Sequence, residues 1–244
     1  MRPPAEVDRA FDADLADDLA GSAFALAKAF SAGATMWCIA PGWEPHALHV
    51  AVEFVHPVVI GKRALPAVAL TGADLVDQVR LSVRSGDIVV AISGAARTDV
   101  IEVMRRAPAW GATTVWIGNG RRPAPGAADH VLWLADPNPA TPAVGSFVLI
   151  YHVLWELTHV CFEHPGLVNS LAIAEQTCLT CSDQALLGEV VSDTNGDSAT
   201  VRTAAGVETV ETTLVGPLRA GCLVLVHAGI VIGLADGATT EPDP

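Results

Sequence analysis

The chain has 244 residues, 51% hydrophobic and 17% charged, with a formal net charge of −13. That length supplies one large domain or two small ones with a real core, and its richness in aliphatic residues excludes a disordered chain. No apolar run reaches the roughly 18 residues of a membrane span. The Met-Arg-Pro-Pro start has no apolar signal segment, and the acidic balance excludes a nucleic-acid partner. A cytoplasmic protein is expected.

The first predicted element is a helix over residues 6–32, with Phe11, Leu15, Leu19, Leu26 and Phe30 at helical spacing and an acidic first half. Thr35–Ala40 is a short apolar run between Gly33 and Pro41 and reads as a buried strand. A second buried strand spans Asp87–Ile92. An amphipathic helix follows over about Thr98–Trp110, then strands Thr113–Ile117 and His130–Leu134, then a helix from Val144 to Phe162. Continuous apolar strands separated by helices predict an α/β domain with a doubly wound parallel sheet. Ligands of such sheets sit at the carboxyl ends of the strands, here the loops after Ala40 and Ile92.

Charge distribution marks where this domain ends. Residues up to Gln176 carry a net −6, and those from Thr177 onward carry −7 with no lysine. Pro165-Gly166 ends the last helix, so the expected organisation is an α/β domain over 1–165, a linker over 166–176 and a second domain over 177–240.

The order of these segments resembles the sugar isomerase (SIS) domain, in particular the sedoheptulose-7-phosphate isomerase type, over roughly residues 10–164. The resemblance rests on Pro45–Phe54, Ser85–Ser93 and the late helix around Tyr151-His152. It implies a flavodoxin-like fold, a proton-transferring role for Glu53, and sugar-phosphate binding by the loops containing Ser93 and Arg97. The family's partner histidine falls near Phe147, with His152 matching a second histidine one to two turns later. The chain departs from the family in its first loop, Ala40–Pro45, where two prolines remove N–H donors and Glu44 sets a negative charge where an anion would sit. The second loop, Ser93–Arg97, keeps one hydroxyl. The resemblance also implies oligomerisation through this domain.

His46, His49 and His56 lie close in sequence, and the first two can share a helix face. That spacing suits metal ligation, but no third ligand is evident beside them, and a structural or capping role is the competing reading. His159 and His164 fall near a helix C-terminus, where positive charge complements the helix dipole.

From Cys178 the texture changes to short strands. Leu187–Val191 precedes an Asn195-Gly196 turn; Ala199–Arg202 and Val207–Val210 flank Ala205-Gly206; Cys222–His227 runs through Ala228-Gly229 into Ile230–Ile232. Five short strands predict a small OB-like β-barrel. Cys178-Leu179-Thr180-Cys181 is half a metal site or a redox pair, and a second pair is absent.

Cys178 with its Leu179, and the closing segment Gly221–Gly229, together resemble the HypC/HupF family of hydrogenase maturation chaperones over residues 177–236. The resemblance implies that Cys178 and His227, with Cys181 as a further candidate, handle a transient iron fragment carrying cyanide and carbon monoxide ligands. It also implies a HypD-type scaffold protein and the [NiFe] hydrogenase large-subunit precursor as partners. A thiolate suits low-spin iron, and a neighbouring imidazole lowers its pKa or completes the coordination. The family's cysteine usually follows the initiator methionine, whereas Cys178 is internal. The reading is a maturation chaperone fused to an SIS-like domain. The alternatives are a phosphosugar isomerase or sugar-phosphate-binding protein with an accessory barrel, and a structural adaptor.

Overall fold

The computed structural model describes residues 13–134, 144–164, 166 and 185–235. Its first domain is a five-stranded parallel sheet in the order β2-β1-β3-β4-β5, the doubly wound arrangement expected. The strands are β1 (Met36–Ile39), β2 (Ala67–Leu70), β3 (Ile88–Ile92), β4 (Thr113–Asn119) and β5 (His130–Leu134). Every residue of the central β3 is buried, which is why that stretch reads as an unbroken apolar run.

Helices cover both faces. α1 (Ala13–Ser31), α2 (Glu44–Val55) and α5 (Val144–Glu163) pack on one core, built around Leu19, Leu26, Phe54, Ile88, Ile117 and Tyr151. α3 (Leu75–Ser82) and α4 (Thr98–Arg106) cover the other, around Val79, Val89, Val103, Trp110 and Trp116. β2 and α3 carry no strong sequence signal. β2 is an edge strand with only Ala67 buried, and α3 buries just Leu75 and Val79. The helix expected over Thr98–Trp110 is two pieces: α4 stops at Arg106 and Ala107–Trp110 forms a 3-10 turn containing Pro108. Proline removes an N–H and tightens the chain there, and Gly111 ends the turn at φ 82°.

The second domain is a closed five-stranded barrel of β6 (Leu186–Asn195), β7 (Ser198–Thr203), β8 (Gly206–Glu211), β9 (Leu223–His227) and β10 (Ile230–Leu234). β7 alternates half-buried and buried residues as a barrel strand must, and Val190, Val201, Val210, Val224 and Val231 fill the interior. A parallel contact of β8 with β10 closes the ring.

The barrel docks on the α3–α4 face through one buried carboxylate. Glu189 of β6 accepts hydrogen bonds from Arg106 Nη1 (2.7 Å), Trp110 Nε1 (2.8 Å) and Arg80 Nε (3.2 Å). Arg106 Nη1 also donates to the Gly221 carbonyl at 2.6 Å, and Arg202 donates to the carbonyls of Arg80 and Val83. Glu189 is only 2% exposed, and two guanidinium groups and an indole N–H satisfy its carboxylate there. Leu187 and Leu223 add apolar contact to the same junction.

Candidate functional site

α2 begins directly after the β1 loop, with Pro45 in its first turn and Glu44 at its positive end. His46, His49 and Glu53 follow at spacings of three and four, which places them along one stripe of the helix. Packing of α2 against α5 brings that stripe to Phe147, Tyr151 and His152. Five titratable side chains, His46, His49, Glu53, Tyr151 and His152, thereby converge from two helices.

Glu53 lies at the centre. Its Oε1 is 3.1 Å from His49 Nε2 and 3.3 Å from His152 Nε2. The phenol of Tyr151 lies 2.9 Å from His49 Nδ1, and His46 Nδ1 approaches the same phenol at 3.5 Å. Burial, and then the Glu53 carboxylate, push the Tyr151 phenol up to about 12, so it remains protonated and donates to His49 Nδ1. His49 then carries its proton on Nε2 and donates to Glu53. Burial, reinforced by His49, holds His46 below its ordinary value and keeps that ring neutral. The His152 Nε2 atom is buried and makes no well-directed hydrogen bond, although it faces Glu53.

Two chemistries fit this geometry. A carboxylate flanked by two imidazoles, half-open to solvent, can pass a proton to and from a bound molecule. The ligand atoms of His49, Glu53 and His152 also lie within 4.8 Å of one another, a donor set matching zinc sites with three protein ligands and an open position. A divalent cation held there would polarise a carbonyl oxygen.

The structure places the residues singled out by the sequence in different surroundings. Of His46 and His49, only His49 falls in a set with metal-ligand geometry among the described residues, and the other two members are Glu53 of α2 and His152 of α5. Phe147, where spacing placed the partner histidine, is fully buried against Trp43 and His46. His56 lies outside the cluster, at the C-terminal end of α2. Ser93 is 1% exposed, and its hydroxyl accepts from Trp116 Nε1 at 3.0 Å while donating to the Gly94 carbonyl. Arg97 is paired with Asp99 through two bonds, of 2.6 and 3.1 Å. His159 does more than face a helix dipole, because it joins the Trp155 carbonyl to the Arg63 carbonyl at 2.9 and 3.0 Å.

In the barrel, His227 is the last residue of β9 and is half-buried. Cys178 and Cys181 lie outside the described residues. Cys38 and Cys161 are free and buried, and Cys222 is free and half-buried. No helix among the described residues is long and apolar enough to cross a membrane.

No family model and no curated protein matches the chain. Solved structures do. A phosphoheptose isomerase from Francisella tularensis superposes with a TM-score of 0.52 at 18% identity, over 59% of this chain and 86% of its own. Phosphoheptose isomerase GmhA from Neisseria gonorrhoeae gives 0.48 at 17% identity, over 62% and 87%. The sugar isomerase domain of an RpiR transcription factor from Sphaerobacter thermophilus gives 0.42 at 19%, over 63% and 84%. At such identities the likeness is one of fold, and the α/β domain has the phosphoheptose isomerase-like fold of a sugar isomerase (SIS) domain.

Proposed function

We propose that the α/β domain binds a sugar or sugar phosphate and that Glu53 moves a proton between adjacent carbons of it, as in aldose–ketose isomerisation. The carrying observation is that Glu53 Oε1 sits between His49 Nε2 at 3.1 Å and His152 Nε2 at 3.3 Å. Isomerisation needs a base for the carbon-bound proton and a second group for the oxygen-bound one. Glu53 takes the proton from the carbon beside the carbonyl. His152 gives a proton to the carbonyl oxygen, so that an enediol forms. The other hydroxyl of the enediol then loses its proton to the imidazole as Glu53 returns its own proton to the neighbouring carbon. His49, held by Tyr151, keeps the carboxylate oriented. A homo-oligomer through this domain belongs to the same reading, with Leu48 and Val52, 52% and 54% exposed one turn apart on α2, as its support.

The test is transfer of solvent deuterium into sedoheptulose and sedoheptulose 7-phosphate, followed by NMR. Exchange into at least one of them, lost in Glu53→Gln, is expected. Absence of exchange into both by the wild type overturns the reading.

A second reading concerns the barrel as a hydrogenase-maturation module acting through Cys178 and His227 on an iron fragment. What speaks for it is a small closed barrel whose Gly221–Gly229 segment forms β9 and its turn into β10, with His227 at the strand end. No comparison supports it. Loss of hydrogenase maturation in cells carrying Cys178→Ala, with Glu53→Gln without effect, is the expected result. Normal maturation with Cys178→Ala ends it.

A further inference from the structure

At the carboxyl ends of β1, β2 and β3 lies a cleft of about 490 Å³, lined by Pro41, Gly42, Glu44, Asp74, Arg97 and Asp99 among others. α2, α3 and α4 each start at this cleft, since each follows its strand directly. Three positive helix ends at one opening make a place where a phosphate would ordinarily be held.

Here the chain's own carboxylates occupy that place. Glu44 Oε1 accepts the Gly42 N–H at 3.1 Å. The N–H groups of Glu44 itself and of Gly42 hold its carboxyl below the usual carboxylate range, with the Arg97 guanidinium adding to this, so it is charged at neutral pH. Asp99 accepts the Val100 N–H at 2.9 Å and binds both Nε and Nη2 of Arg97. Burial would raise its pKa, but the Arg97 hydrogen bonds and the Val100 N–H outweigh that and lower it. α3 brings Asp74 and Asp77 to the same lining. Arg97, the lone cation of the lining, is therefore already matched by Asp99, and three further carboxylates, of Glu44, Asp74 and Asp77, share the lining with it. The neighbouring hollow of about 280 Å³ between the β1 and β3 loops shares Arg97 and offers Ser93, whose hydroxyl is engaged with Trp116 and Gly94.

We infer that Glu44 and Asp99 are specificity-determining residues that exclude phosphate and select an unphosphorylated sugar, whose hydroxyl groups donate to these carboxylates. This rests on the sugar-binding reading above. The cleft lies at the first turn of α2 and Glu53 near its last, about 13 Å apart along the helix axis. The cleft would hold the end of the ligand remote from the proton transfer, where a terminal phosphate would otherwise be carried. A phosphate ester entering there displaces no counter-anion and meets like charge, whereas a hydroxyl meets acceptors.

The experiment is calorimetric titration of the full chain with sedoheptulose, sedoheptulose 7-phosphate and inorganic phosphate, in the wild type, Glu44→Gln and Glu44→Gln/Asp99→Asn. The wild type is expected to bind the free sugar about tenfold or more tighter than its phosphate ester and to show no heat with inorganic phosphate. The double substitution frees Arg97 and should reverse the order, and Glu44→Gln, at an exposed side chain, should narrow it. Tighter binding of the phosphate ester by the wild type overturns the inference and leaves the sugar-binding reading standing. Binding of neither sugar by any of the three proteins overturns both.

Discussion

His152 of α5 points its buried Nε2 at Glu53 of α2 across 3.3 Å, and the same Glu53 oxygen lies 3.1 Å from His49 Nε2. The pair turns a stripe on one helix into a site. If its donor set takes a cation, zinc titrated into the metal-free protein should bind at one equivalent. Glu53→Gln and His152→Ala should each weaken that binding by about tenfold or more, since each removes one of three protein ligands. Equal affinity in all three proteins would show that the cluster holds no metal.

Tyr151→Phe removes the donor to His49 Nδ1 and leaves the packing of the ring. Proton transfer by Glu53 should fall about fivefold, the cost of roughly one kcal/mol expected for a lost hydrogen bond, because His49 can then adopt the other tautomer and stop donating to the carboxylate. Deuterium exchange rates check this. An NMR shift change at His49 without a change at His159 would locate the effect.

Glu189→Ala should destabilise the protein by about 3 kcal/mol or more, because it leaves the Arg106 guanidinium and the Trp110 indole N–H without their buried acceptor. Thermal unfolding should show the barrel and the α/β domain losing their common transition. An unchanged melting profile would mean that the junction contributes little.

Burial, partly opposed by Asp129 and Asp18, holds His130 below its ordinary value of 6.5. The unfolded chain therefore binds a proton there more readily than the folded chain. The stability contributed by neutral His130 is complete above pH 6.5 and is lost as pH falls below it. Unfolding free energy measured between pH 7 and 5 should decline less steeply in His130→Gln than in the wild type.

Paired substitution of the exposed Leu48 and Val52 by Glu should lower the sedimentation mass if α2 is covered by a second copy. The same mass in both proteins would place any oligomer contact elsewhere.

Much of the fold was legible because its signal is local. The unbroken apolar run of β3 and the Asn195-Gly196 turn between β6 and β7 declare themselves within a few residues. β2 and α3 were not legible, since an edge strand and a mostly exposed short helix bury too little to leave a pattern. Ser93 looked available for a ligand, yet Trp116 from the next strand takes its hydroxyl, a contact that no spacing along the chain encodes.

By itself the sequence determined that two domains of different character share this chain, and that a lysine-free, acidic second part follows an α/β first part. Its carboxylate at Glu44 was already in view as an obstacle to an anion. Only the tertiary structure decided that Glu44 caps Gly42, that Asp99 neutralises Arg97, and that His152 completes the set begun by His49 and Glu53. Charge and periodicity are properties of a chain read in order. A site depends on which side chains two packed helices and three strand ends bring within a few ångströms, and that distance is set by the packing alone.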